Sequence, residues 1–251
     1  RMFAQVIDGT ITSFPKGNKG LEIVTSRYSA DDATADVYPA GHEQEGERIH
    51  TWSEGNVKEG LKYSATIYTL WTEAERNAIG IYTVEIDETN RKDETWYINT
   101  DITYAYDSDN DKVTGSYGTA TAKKHADTTW TQAQIDDASL VGPAPDGADT
   151  NTVRLEGLKT VLIRNVKAQA ESELNQTDWY VTRKSEKSTA IPSAITTHRD
   201  AVRSKQVAMI TAITNASDTP ALETLYTVVN TADEGDEPVY ARPLGVIPTL
   251  E

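Results

Sequence analysis

Residues 141–149 read VGPAPDGAD and separate two parts of the chain with different side-chain patterns. Proline lacks a backbone N–H and glycine favours turns, so neither a helix nor a central strand is expected to cross this stretch. We therefore expect a linker at 141–150, a mainly β domain at 1–140 and a helical module at 151–226. This arrangement predicts an α+β fold, with an N-terminal, mainly antiparallel β domain that contains a short helix, and a C-terminal helical hairpin.

Turn residues and alternating side chains predict the strands of the first part. Asp8-Gly9 lies between the β-prone runs 3–7 and 10–14, which is typical of a two-residue type I′ hairpin. In 95–106 five large apolar or aromatic side chains fall on even positions, so we expect one strand with a single buried face; they are Trp96, Ile98, Ile102, Tyr104 and Tyr106. Residues 113–119 are its expected hairpin partner across the turn 107–112.

A short helix is expected between these strands. Thr72 and Glu75 have the spacing of a capping box, in which the two side chains satisfy free amides of the first helical turn. Gly80 is expected to end this helix, and residues 81–86 are expected to follow as a strand. The 34 threonines favour the same β-rich interpretation, because β-branched side chains pack well on a pleated surface.

The second part has helical periodicity. Apolar residues recur three or four positions apart from Leu155 to Ala170, so we expect a helix that Asn151 or Thr152 caps and that ends near 174–175. A second helix is expected from about Ser193, and a third, shorter one at 220–226. The last segment, 227–251, is acidic and contains three prolines, which predicts an extended tail.

The charge of the chain excludes some classes of partner. The formal net charge is -15, which argues against binding to nucleic acid or to an anionic membrane. Residues 1–150 carry 13 basic and 26 acidic side chains, many of them in 24–60, where we expect a long acidic insertion. The chain has no cysteine, which removes disulfides, thiolate metal sites and cysteine nucleophiles.

Candidate catalytic and metal-binding patterns are weak. Residues 107–111 begin like a calcium loop, but Lys112 and Gly118 stand where that loop requires Gly and Glu. His42 and His50 lie in the acidic insertion without the spacing of a zinc site. The chain also lacks the nucleophile-elbow, phosphate-loop and dinucleotide-binding motifs. We therefore expect no enzymatic activity, no cofactor and no metal.

One constellation of residues is more specific. Residues 174–183 read LNQTDWYVTR, followed by Ala190-Ile191-Pro192 and by His198-Arg199-Asp200-Ala201-Val202-Arg203. We interpret it as two helices joined by a long connection, in which Trp179 is a large anchor between the helices. If Trp179 is core, its replacement by Ala is expected to cost about 3 to 5 kcal/mol.

This order of residues resembles the small C-terminal module of bacteriophage tail-fibre assembly chaperones and related tail proteins. The resemblance covers about 154–226, and it departs from the family at His198 and Val202, where the family has Tyr and Leu. The opening residues 3–15 also resemble the start of many phage tail proteins. The resemblance implies a role in a phage tail through contacts between proteins.

Three functions remain open from the sequence. The first is a non-enzymatic tail or tail-fibre protein, made in the bacterial cytoplasm and located in the virion tail, which binds other tail or fibre proteins and possesses surfaces suited to homo-oligomers. Its expected partner-binding or anchor residues are Trp179, Arg183, Arg199 and Arg203. The second is a fibre-assembly chaperone that leaves before the virion is complete. The third is a carbohydrate-binding receptor protein, suggested by Trp52, Trp71, Trp96 and Trp130.

Overall fold

The computed structural model describes residues 1–27, 40–41, 43, 45 and 57–250. They form two compact units: Arg1–Arg91 with Thr100–Gly118, and Lys92–Asn99 with Thr119–Glu251. The first unit consists mostly of antiparallel strands and the second contains the long helices, which confirms the α+β fold.

In the described residues the strands are β1 (Phe3–Ile7), β2 (Thr10–Ser13), β3 (Leu21–Arg27), β4 (Val57–Tyr63), β5 (Ile81–Asp87), β6 (Tyr97–Ile98), β7 (Ile102–Asp107), β8 (Lys112–Tyr117), β9 (Thr121–Ala122), β10 (Thr128–Thr129), β11 (Val153–Leu155), β12 (Val229–Asn230) and β13 (Tyr240–Ala241). The α-helices are α1 (Glu73–Asn77), α2 (Gln132–Asp136), α3 (Ala138–Val141), α4 (Leu158–Asn175), α5 (Asp178–Lys187), α6 (Ser193–Asn215) and α7 (Thr219–Tyr226).

The first unit is organised around a five-stranded sheet in the order β2-β1-β5-β8-β7. The hairpin β1–β2 turns at Asp8 and Gly9, whose φ angles of 50° and 73° confirm the predicted type I′ turn. β5 and β8 are paired in parallel, and the other neighbours are antiparallel. Ala4, Val84 and Val113 are buried in the core of this sheet.

The predicted short helix and the hairpin that follows it are both present. The capping box of α1 is complete, with Thr72 N donating to Glu75 at 2.8 Å. β7 and β8 are antiparallel partners, as predicted. At their turn, Asp107 accepts hydrogen bonds from the backbone of Asp109 and Asn110, so its carboxylate is used to hold the turn.

The single strand predicted at 95–106 is wrong. Its first part, β6, pairs with β9 in the second unit, whereas β7 belongs to the sheet of the first unit. The side chain of Asn99 exchanges two hydrogen bonds with the backbone of Lys92, at 2.9 and 2.8 Å. A side chain that bonds the backbone in this way competes with strand pairing and favours a turn, which the alternation of apolar residues does not reveal.

The predicted domain limits differ from the two units. Residues 142–152 form neither helix nor strand, as the prolines and glycines predict, but they lie inside the second unit. β10 and β11 pair on either side of this stretch, which makes it a loop rather than a linker. The ends of the predicted insertion 24–60 are parts of β3 and β4, which form an antiparallel pair, while most of its interior lies outside the described residues.

The long helix α4 begins later than predicted. Its N-cap is Gly157, and residues 153–155, expected to be helical, are strand β11 instead. Gly157 has no side chain to cap the helix, so Leu158 N and Lys159 N donate to the carbonyl oxygens of Lys124 and His125, and Asp127 binds Gly157 N from 30 residues upstream. Its carboxylate accepts hydrogen bonds from Gly157 N at 2.6 Å and Thr160 Oγ1 at 2.7 Å. These bonds hold the pKa of Asp127 below its usual value.

The core of the second unit lies between α4, α6 and α7. Val166, Val202, Met209 and Leu222 are all within 2% of complete burial. α6 and α7 start where they were predicted to start, and Asp218 caps α7 through Ala221 N at 2.8 Å.

The predicted extended tail at 227–251 is also wrong. It contains the hairpin β12–β13, and Leu244 and Ile247 then pack into the helical core. Leu244 N donates to Leu225 O at 2.9 Å, which fixes the chain against α7. Burial of these apolar side chains outweighs the extended preference of the prolines. Among the described residues, none of the helices has the length and apolar content needed to cross a membrane.

Candidate functional site

The residues that the sequence pointed to lie around the corner where α4 ends and α5 begins. Thr177 occupies this corner and is 1% exposed. Its hydroxyl donates to the carbonyl oxygen of Leu174 at 3.0 Å, and its backbone N–H donates to the same oxygen at 3.0 Å. The last carbonyls of a helix have no partner within the helix, so these bonds satisfy one of them.

Arg199 of α6 fixes this corner. Its Nη1 lies 2.8 Å from Leu174 O, 2.7 Å from Thr177 Oγ1 and 2.8 Å from Asp178 Oδ1. The side chain of Arg199 is 9% exposed, so these contacts are largely shielded from water. Charge-assisted hydrogen bonds of this kind are stronger than neutral ones, and here they connect all three helices α4, α5 and α6.

The roles predicted for Trp179 and Arg199 are therefore reversed. Trp179 was expected to be a buried anchor, but it is 51% exposed. Arg199 was expected to face a partner, but it is buried and bonded within the chain. The reason is that α5 has no buried residue, so its aromatic side chains stay at the surface. The corner, by contrast, carries acceptors that require a buried donor.

Trp179, which is exposed, and Tyr180 and Arg183, which are partly buried, form a group that we call the α5 aromatic cluster. The two rings are tilted by 32° relative to each other, with centroids 3.7 Å apart. The guanidinium carbon of Arg183 lies 4.7 Å from the Trp179 ring centroid and 5.4 Å from that of Tyr180. Stacking of a cation on aromatic rings orders the long Arg side chain, so the cluster presents a defined surface.

Arg203, the fourth predicted residue, is not part of this cluster. Its side chain is 52% exposed, and it lies 3.5 Å from Asp200 in the same helix, in a pair typical of a solvated helix surface. The structure thus brings Trp179 and Arg183 together, places Arg199 beneath the start of α5, and leaves Arg203 on the exposed side of α6.

A buried pair next to the corner was missed by the sequence interpretation. His198, to which no role was assigned, is 8% exposed, and its Nε2 lies 3.9 Å from Oε2 of Glu173, which is 17% exposed. Neither of these two atoms has a hydrogen-bond partner. Glu173 and His198 lie 25 residues apart, on α4 and α6, so only the packing of the two helices brings them together.

A groove of about 370 Å³ opens beside the corner. Its walls are mostly polar and include Lys167, Glu171 and Gln206 together with Asp178 and Arg199. Polar and charged walls suit contact with another protein better than they suit a small apolar ligand. Within the ranges that the structure describes, no group of three or more His, Asp or Glu side chains is placed to hold a metal ion.

The tryptophans that suggested carbohydrate binding are mostly not surface platforms. Trp96 and Trp130 are buried, at 6% and 7% exposure. Trp71 packs edge-on against Tyr63. Trp52 lies outside the described residues, as do His42 and His50 of the acidic insertion. Trp179, for which no sugar-binding role was suggested, is by contrast half exposed.

No family model, no curated protein and no solved structure matches this chain.

Proposed function

We propose that the protein is a non-enzymatic structural component of a bacteriophage tail or tail fibre that acts by docking to other proteins. The observation that carries the proposal is the α5 aromatic cluster, which lies on a helix without a buried residue. Aromatic and Arg side chains dominate the binding energy of protein interfaces, and exposing them without a partner has no structural benefit to the chain itself.

Two further points support this function. The order of residues at 174–203 resembles the C-terminal module of phage tail-fibre assembly chaperones and related tail proteins. In addition, buried Arg199 holds the start of α5 through Asp178, so the cluster is presented at a fixed angle to α6. A preorganised surface loses little entropy when it binds a partner.

The partners of this proposal are other tail or fibre proteins, and the location is the virion tail after synthesis in the bacterial cytoplasm. An assembly chaperone would use the same surface and would leave before the virion is complete. The two functions differ in whether the protein remains in the finished particle. The carbohydrate-binding function has less support, since Trp96 and Trp130 are buried.

The test is peptide mass spectrometry of density-purified virions, with the copy number measured relative to the major capsid protein. We expect the chain in a small, fixed copy number. Absence from virions combined with abundance in the lysate would replace the structural function with the chaperone function. Absence from both the virion and its assembly intermediates would overturn the proposal.

A pair of variants tests the surface itself. Trp179→Ala with Arg183→Ala is expected to reduce incorporation into virions severalfold when supplied to infected cells in place of the parent chain. Val207→Ala is the matched control, because Val207 is a 64% exposed apolar residue on α6 outside the cluster. Equal incorporation of both variants would remove the α5 aromatic cluster from the interface.

A further inference from the structure

Helix α5 has free basic side chains beside its exposed apolar ones. Val181 is 43% exposed. Lys184 and Lys187 are three and six positions further along, on the same side of the helix as Val181, and in the part of the chain that the structure describes neither of them forms an ion pair. We call this combination the α5 face.

The hairpin β12–β13 has the opposite charge and a similar apolar content. Val229, Val239 and Tyr240 are 43%, 57% and 69% exposed. The connection between its strands contains four acidic side chains, all exposed and, within the described ranges, without an ion pair. They are Asp233, Glu234, Asp236 and Glu237. We call these residues and the three apolar ones the acidic hairpin.

We propose that the α5 face of one copy of the protein binds the acidic hairpin of a second copy. The inference rests on the proposed function in that it names the partner of the same docking helix, α5. The charges are complementary, with free lysines on one surface and free carboxylates on the other. Each surface also carries exposed valines, Val181 on α5 and Val229 and Val239 on the hairpin, so the two match in both properties that stabilise an interface.

A contact between two different surfaces of the chain limits the kinds of assembly that can form. Because the two surfaces are different parts of one chain, each copy offers one of each. Two copies related by a two-fold axis satisfy both surfaces of both copies, and a closed ring does the same with more copies. Either assembly covers Val181 and Val239, which are 43% and 57% exposed in a single copy.

The test uses two charge-reversed variants of the full chain. In the first, Lys184→Glu is combined with Lys187→Glu; in the second, Asp233→Lys, Glu234→Lys, Asp236→Lys and Glu237→Lys are combined. Sedimentation velocity over a concentration series measures association, and circular dichroism verifies that each variant is folded. We expect the parent chain to associate and each variant to do so with a Kd raised at least about tenfold, because each variant opposes like charges.

Mixing the two variants gives the sharpest result. The reversed α5 face of the first variant is complementary to the reversed hairpin of the second, and the unchanged surfaces also match. We therefore expect the mixture to associate like the parent chain, and a single chain carrying all six substitutions to do the same. Raising the salt concentration from about 50 to about 500 mM is expected to weaken association.

The matched control is Lys16→Glu with Lys19→Glu. These two exposed lysines have the same spacing and the same change of charge, but they lie in the first unit. The control is expected to associate like the parent chain. A parent that stays monomeric at every concentration, variants that associate like the parent, or a mixture that does not recover association would each overturn the inference. A monomeric chain that is present in virions would do so while leaving the proposed function intact.

Discussion

Replacement of Arg199 by Ala is expected to destabilise the helical unit and release α5. The substitution removes three contacts of Nη1, with Leu174 O, Thr177 Oγ1 and Asp178 Oδ1, at 2.8, 2.7 and 2.8 Å. It also removes a buried aliphatic stem, since the side chain is 9% exposed. Helix α5 has no buried residue of its own that would hold it against the other helices.

The expected loss of stability depends on which hydrogen bonds the former partners of Arg199 can still form. A hydrogen bond to a charged group contributes about 1.5 to 3 kcal/mol, but one nitrogen shares its two hydrogens among three acceptors, so the values do not add. Leu174 O keeps its bonds from Thr177. The carboxylate of Asp178 is 53% exposed and regains water. We therefore expect a loss of about 2 to 4 kcal/mol.

Trp179→Ala is the comparison that makes this prediction informative. Trp179 is half exposed and contacts mainly its neighbours on α5, and Ala is the better helix former, so we expect a change within about 1 kcal/mol. Urea denaturation followed by the far-UV circular dichroism of the helices measures both variants. Hydrogen exchange of the amides of α5 is expected to accelerate only in the Arg199 variant.

Two results would refute this reasoning. One is an Arg199→Ala protein that unfolds at the urea concentration of the parent with unchanged exchange in α5. The other is a Trp179→Ala protein that loses as much stability as Arg199→Ala, which would mean that Trp179 is the buried anchor after all.

Two other substitutions test how the fold is built. Asp127→Asn is expected to cost up to about 1 kcal/mol at neutral pH, because the cap of α4 loses its charge. The pKa of Asp127 is lowered in the folded state, so its contribution is present above the unfolded pKa of about 3.9 and is lost as the pH falls through the folded value. Urea denaturation below about pH 4 should thus show a weaker acid dependence in the variant than in the parent, and an identical dependence would contradict the capping role. Gly80→Ala is expected to destabilise the first unit by more than about 1 kcal/mol, because Gly80 has φ of 77° and an added Cβ would meet the carbonyl oxygen of Val6. Gly9→Ala, with φ of 73° and open space around it, isolates the cost of the backbone conformation; thermal unfolding should show a smaller loss, and an equal loss would contradict the steric argument.

The features that the sequence predicted correctly depend on neighbours in the chain. The turn at Asp8-Gly9, the capping box of Thr72 and Glu75 and the start of α7 each use side chains within four residues of one another. Such signals are complete in a short window of sequence, because the hydrogen bonds that they predict close locally.

The errors arise where a partner lies far along the chain. The side chain of Asp127 binds the N-terminus of α4 from 30 residues upstream, and the sequence of 151–158 contains no signal that predicts this contact. Helix α5 has no buried residue, so it lacks the apolar periodicity by which helices are recognised. The pair of Glu173 and His198 likewise depends on how α4 and α6 pack.

The same distinction explains why the candidate site was found but its residues were given the wrong roles. Hydrophobicity predicts that a Trp is buried and an Arg is exposed. At this corner a helix ends, another begins without a buried face, and the carbonyl of Leu174 lies close to the carboxylate of Asp178. A guanidinium satisfies both and can be buried because both acceptors compensate its charge, which a Lys does less well because it lacks the planar set of donors. Of the Thr-Asp-Trp sequence, Thr177 and Asp178 therefore bind Arg199 to fix the corner, which leaves Trp179 on the surface for another protein.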